Sequence, residues 1–355
     1  MSDTTYAPSM GRLKAMMGLF LPKESFSTLL EARDMGELAK MLEGTTYSSD
    51  VTHALETYED SAALELAINR HFVTLTRLAI EAAPFAGKPI VASYLKWWDI
   101  ENILAILAAK AYGRLLSESG VSLISDSQTP AAVAAGMMSI DDLRSLLSQT
   151  TVEGVVHQLS KFGYGITLME HLDAFLKEKN LFPIAHVLER NYYAELHGQC
   201  RFFQGDEWVV REFISEEIDV KNILTLLKGK DSGLALNVLT PLFLDNGKLT
   251  LQRLQDLTGS KDVDSVVSAL PPSYDLVSAL PTYKDEGSLV AFDIALRKRH
   301  ALHSLERMRA YPLSLAGLFH FLLLARTERE DLRKIIYGKV YQVPTEKVSR
   351  ELVLA

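Results

Sequence analysis

The chain has 355 residues, enough for two or three domains, and its 48% hydrophobic content is too high for a disordered polymer. A net charge of -8, from 37 Lys and Arg against 45 Asp and Glu, excludes a general polyanion binder, so no nucleic-acid partner is expected. Cys200 is the one cysteine, which excludes an intramolecular disulfide and suits a reducing compartment.

The first residues, Met1-Ser-Asp-Thr-Thr-Tyr6, lack the basic start and apolar core of a signal peptide. Further on, Asp34-Met-Gly-Glu37 places a capping side chain three residues before an acid. It predicts a short helix carrying Leu38, Met41 and Leu42 that ends at Gly44-Thr-Thr-Tyr47. A long amphipathic helix is expected over Ala62 to Ile80. Next, Trp97-Trp98 leads into Asp99-Ile-Glu-Asn102, where Ile103, Ile106, Leu107 and Lys110 share one helical face. Gly113 reads as the helix stop, and Ser117-Glu-Ser-Gly120 as a seam.

The pattern then repeats. Ser139-Ile-Asp-Asp142 caps a helix with Leu143, Leu146 and Leu147, which ends at Gln149-Thr-Thr-Val152. A long helix over Ile184 to Leu196 precedes Asp219-Val-Lys-Asn222, followed by Ile223, Leu226, Leu227 and Lys230. Gly233 stops that helix, and Asp231-Ser-Gly233 is the second seam. In the third unit Leu251, Leu254 and Leu257 precede Thr258-Gly259. The doubled Ser268-Ala-Leu-Pro271 and Ser278-Ala-Leu-Pro281 predict a loop with extended turns within 263–286. A long helix over Ser288 to Met308 leads to the last signature, Glu328-Arg-Glu-Asp331, with Leu332, Ile335, Ile336 and Lys339; Gly338 is the expected stop. The apolar run Leu313 to Ala325 has 13 residues, short of the ~20 that a bilayer requires, so no membrane span is expected.

The three signatures begin 120 and 109 residues apart. Solenoid units are about 20 to 45 residues long, so a unit here is a domain with its own core. The expected domains are 1–117, 118–234 and 235–355, all helical. A helical-repeat adaptor or scaffold protein is the competing architecture, and the spacing disfavours it.

Chemistry is sparse. Asp99 and Asn102, Asp219 and Asn222, and Glu328 and Asp331 are acid–amide or acid–acid pairs at i and i+3, near Lys110, Lys230 and Lys339. An active site is usually built once, whereas these are written three times, so a structural anchor is expected. An enzyme would instead present one concave site with strongly perturbed carboxylates. His300 with His303, and His197 with Cys200, offer two ligands each where a structural zinc needs four. Arg297-Lys-Arg-His300, with Arg307 and Arg309, is expected to form a solvated helix face rather than a site for an acidic partner or lipid. Trp97-Trp98 is expected to be core plus a partly exposed rim. Walker-type, nucleophile-elbow and metalloprotease motifs are absent. No catalytic residue, cofactor or metal is expected.

Several stretches together carry a family likeness. They are Trp97-Trp-Asp-Ile-Glu-Asn-Ile103 with Lys110, Glu217-Ile-Asp-Val-Lys-Asn-Ile-Leu-Thr-Leu-Leu227, Gly11-Arg-Leu-Lys-Ala-Met16, Leu42-Glu-Gly-Thr-Thr-Tyr47 and Tyr311-Pro-Leu-Ser-Leu315 through Lys339. In order and spacing they resemble the C-subunit family of the A/V-type ATPases (ATP synthases), whose vacuolar ATPase counterpart is the d subunit. The resemblance implies three similar helical domains around a pseudo-threefold axis, forming a funnel. It implies a non-catalytic rotor part at the cytoplasmic face of a membrane, a peripheral piece of a membrane-bound complex. Its partners would be the proteolipid (c/K-type) ring and the central-axle subunits D and F. It would pass torque between ATP hydrolysis or synthesis and proton or sodium transport.

Overall fold

The computed structural model describes residues 6–112, 133–203 and 205–355, and every regular element among them is helical. Four short helices come first: α1 (Ala7–Met16), α2 (Lys23–Leu30), α3 (Met35–Glu43) and α4 (Ser48–Leu55). Two long ones follow, α5 (Asp60–Ala82) and α6 (Lys88–Tyr112). The next set is α7 (Ile140–Leu147), α8 (Val152–Leu159), α9 (Gly165–Glu178), α10 (Phe182–Gln199) and α11 (Trp208–Asp231). The last is α12 (Leu236–Leu239), α13 (Leu251–Thr258), α14 (Val263–Ala269), α15 (Leu280–Glu286), α16 (Val290–Arg309), α17 (Leu315–Val340) and α18 (Thr345–Glu351). The all-α expectation holds, and the expected long helices correspond to α5, α10 and α16. No helix among the described residues is long and apolar enough to cross a membrane.

The short helices begin where side chains satisfy free backbone donors. Asp34 accepts from the Glu37 N–H, and Ser139 and Asp142 form a reciprocal capping box. Thr151, Thr250 and Asp262 cap α8, α13 and α14 in the same way. The sequence pattern pairs the helix begun by Asp34 with the one begun by Ser139. In the structure the match is one helix earlier. Phe26, Leu29 and Leu30 of α2 are buried at the offsets from the cap at which α7 buries Leu143, Leu146 and Leu147, and α13 buries Leu254 and Leu257. α3 then corresponds to α8 and α14. The shift arises because Pro22, at the start of α2, makes no side-chain cap, so the visible capping signal belongs to the following helix.

Two expected helix stops differ from the structure or lie outside it. Gly233 has φ +66° and ends α11 in the left-handed conformation that glycine adopts without strain. Gly338 instead lies inside α17, where a Cβ would come within 2.7 Å of Val348; its role is close packing. Gly113 and the seam at 117–120 lie outside the described residues. The expected extended loop over 263–286 is also corrected: it holds α14, two short 3-10 turns and α15. Pro272 and Pro281 sit in first helical turns, where a missing N–H costs nothing.

The chain forms two compact units. Among the described residues, one comprises 193–203 with 205–323; the other comprises 6–112, 133–192 and 324–355. In the second, Phe26, Leu42, Val51 and Ile68 share a core with Leu332, Ile335 and Ile336 of α17 and Val348 of α18. In the first, Ile223, Leu226 and Leu227 of α11 pack with Leu254, Val266, Val267, Phe292 and Leu296. Each such residue, taken fully out of water, contributes about 1.5–3 kcal/mol.

Candidate functional site

The signature residues of α6, α11 and α17 make three polar clamps of one plan. Asp99 accepts from the backbone N–H groups of Met137 (2.9 Å) and Met138 (3.0 Å), just before α7. Asp219 accepts from Lys248 (3.1 Å) and Leu249 (2.9 Å), just before α13. Glu328 accepts from the Leu21 N–H at 2.8 Å, just before α2. The lysines close the far end of each clamped helix. Lys110 donates to the Leu147 carbonyl (2.5 Å), Lys230 to Thr258 (2.7 Å) and Lys339 to Leu30 (2.6 Å). Each carbonyl belongs to the last residue of α7, α13 or α2, where a cation also meets the negative end of the helix dipole.

The middle residue works by its hydrogen-bonding inventory. Asn102 both donates to and accepts from the backbone of Val133, at 3.0 and 3.2 Å. Asn222 does the same with Leu244, at 2.8 and 2.7 Å. A carboxylate can only accept. Asp331 therefore takes two N–H groups, those of Val353 and Leu354 at 2.8 Å, and is joined by Lys334 at 3.0 Å. The third clamp so ties the last residues of the chain as well as α2.

Close approach of carboxylate to backbone is built into the loops. A Cβ at Gly136 would collide with Asp99 Oδ1, and one at Gly247 with Asp219 Oδ1. The third clamp has Leu19 at the corresponding place, and its acid is the longer Glu328, which reaches its donors without a glycine. Two tyrosines add to the set: Tyr274 O–H donates to Asp219 (2.6 Å) and Tyr47 O–H to Glu328 (2.8 Å). Tyr164 stands at the matching position after α8. Tyr47 and Tyr164 fall at the same distance from the caps of α3 and α8, and Tyr274 one residue nearer the cap of α14, a correspondence visible only once α2 is matched with α7.

Burial sets the electrostatics. It raises Asp99 to about 6, against the Met137 and Met138 donors that lower it. It raises Asp219 and Asp331 above the usual carboxylate range, and Glu328 to about 7. Perturbed carboxylates mark many active sites, but these are enclosed and spend their lone pairs on backbone donors. Their environments share backbone donors at the start of a short helix, and Asp219 and Glu328 each gain a tyrosine hydroxyl. Such groups hold loops and helix ends in place.

Other polar groups lie elsewhere. Arg329 is buried beneath the rings of Phe72 and Trp98, donates to Asn69 (2.7 Å) and is lowered to about 10 by burial. Arg333 donates to the buried Glu65 at 3.1 Å. This network is not legible in the sequence, because the arginines lie more than 230 positions from their partners. Trp98 is core and Trp97 half-buried, as expected. The Cys200 thiol is buried, directed at the Leu196 carbonyl (3.3 Å) and pushed up to about 12, so it stays protonated and is a poor ligand. The basic run of α16 departs from expectation. Arg297 is an exposed partner of Asp293, but Leu296, Arg299, His300, His303 and Arg307 form an inward stripe facing α11. There Arg307 pairs with Glu212 and with Glu216 (3.0 Å), and Lys248 pairs with Glu216 (2.6 Å).

Known proteins agree with the family likeness. Residues 9–351 match the family described as ATP synthase (C/AC39) subunit. The C subunit of the A-type ATP synthase of Thermoplasma acidophilum is 33% identical over 344 residues, 97% of this chain and 97% of its own length. Its equivalent in Thermoplasma volcanium is 30% identical over 98% of this chain and 97% of its own length. The Methanocaldococcus jannaschii protein is 26% identical over 98% of this chain and 86% of its own length. With a match that runs almost end to end and takes in all three signature helices, the chain belongs to the ATP synthase (C/AC39) subunit family.

Proposed function

We propose that this chain is the C subunit of an A-type ATP synthase, a non-catalytic rotor part of the central stalk. It joins the axle subunits D and F to the membrane proteolipid ring. In that place it carries torque between ATP turnover and proton or sodium transport, peripherally, at the cytoplasmic face. Three similar helical modules surround a pseudo-threefold axis and form a funnel between ring and axle, each signature helix clamping the short helices of the next module. The observation that carries this reading is the family match over residues 9–351.

The clamps support it physically. A coupling part must pass torque without yielding, so its helices need fixed ends as well as close-packed cores. Each signature helix meets that need, gripping a neighbour at both termini through charge-assisted hydrogen bonds. The experiment is reconstitution of the full chain with purified proteolipid ring and with axle subunits. A ternary complex that forms only when the chain is present supports the proposal; a chain that binds neither component overturns it.

A further inference from the structure

Within the unit 193–323, a cavity of about 220 Å³ opens where α16 faces α11. That is smaller than the ~300–1,000 Å³ of pockets for drug-sized ligands, and it suits one small ion. Three basic side chains surround it, Lys248, Arg299 and Arg307, against the two carboxylates of Glu212 and Glu216. Lys248 and Arg307 are held by those carboxylates. Arg299 lines the cavity and its charge reaches Tyr274, yet among the described residues it has no ion pair of its own.

His300 lines the same cavity, with both ring nitrogens shielded from solvent and Nδ1 turned towards Glu216. Its ring stacks on Phe213 at 5.1 Å and 12°, so its orientation is set by packing. Nδ1 stands 3.8 Å from Glu216 Oε2, beyond hydrogen-bond reach. One turn on, His303 Nε2 is 3.4 Å from Arg307. Burial alone would raise Glu216, but His300 and Lys248 hold it at about 2, so it remains an anion that anchors the cationic wall.

We propose that this cavity binds a single phosphate group, with Arg299 as its principal ligand and His303 as a flanking donor. A guanidinium matches two phosphate oxygens with parallel N–H groups, and the excess of cations disfavours a metal ion. The group comes either from inorganic phosphate or from a phospholipid head.

Titration calorimetry of the full-length protein with inorganic phosphate tests this. Saturable one-to-one binding is expected, at least tenfold weaker in Arg299→Gln and in His303→Gln. It should be unchanged in Arg297→Gln, whose side chain is exposed and paired with Asp293. Circular dichroism and the phosphate-free melting temperature verify that each variant is folded. Phosphatidylglycerol vesicles form the second arm. Arg299-dependent vesicle binding that phosphate displaces identifies a lipid head as the source, and phosphate binding without vesicle binding identifies the free ion. Lack of saturable phosphate binding by the wild-type protein, or equal binding by folded Arg299→Gln, overturns the proposal.

Discussion

Asp219 is fully enclosed, at 0% exposure, and serves three donors: two backbone N–H groups and the Tyr274 hydroxyl. Removing it strands those donors, and a buried unsatisfied donor costs about 1–3 kcal/mol. Asp219→Ala should therefore lower unfolding free energy by about 3 kcal/mol in a urea titration; a loss under about 0.5 kcal/mol would contradict the anchor role. Glu328 carries a pH signature. Burial lifts it from an ordinary 4.5 to about 7, so in that window the folded protein keeps a proton that the unfolded chain has released. Its contribution is then greatest below pH 4.5 and is lost as pH rises to about 7. Between those limits the wild-type melting temperature should fall relative to Glu328→Gln. Parallel pH profiles for the two proteins would remove Glu328 as the cause.

At the scale of the helix, each signature element grips a short helix at both ends, and the third grips α2 from more than 300 positions away. Lys339→Met removes the bond to the Leu30 carbonyl and should cost about 1 kcal/mol. Amide hydrogen exchange would accelerate in the last turn of α2 and stay slow in α13, which Lys230 holds. Uniform acceleration across both helices would contradict a local clamp. The acid, amide and lysine positions were legible in the sequence because they recur on one helical face with a fixed spacing. Their partners were less so: Pro22 offers no capping side chain, which hid the kinship of α2 with α7 and α13. The stripe of α16 showed its helical period, but the carboxylates it faces, Glu212 and Glu216, lie on α11, and a charge run by itself reads as solvated. Gly338 looked like a stop because glycine serves both helix ends and tight crossings, and only the Val348 contact distinguishes them.

For the whole molecule, the third clamp has a topological consequence. α17 and the chain end it holds complete a core begun by α2, α3 and α4, so the two ends of the sequence depend on each other for burial. Such closure within this unit suits the proposed rotor role. The most direct measurement is ATP-driven ion transport in reconstituted vesicles after site-specific cross-linking of this chain. A cross-link to the proteolipid ring should leave transport intact, because both components rotate together, whereas a cross-link to a stator component should stop it. Transport abolished by a quantitative cross-link to the ring would contradict the rotor assignment.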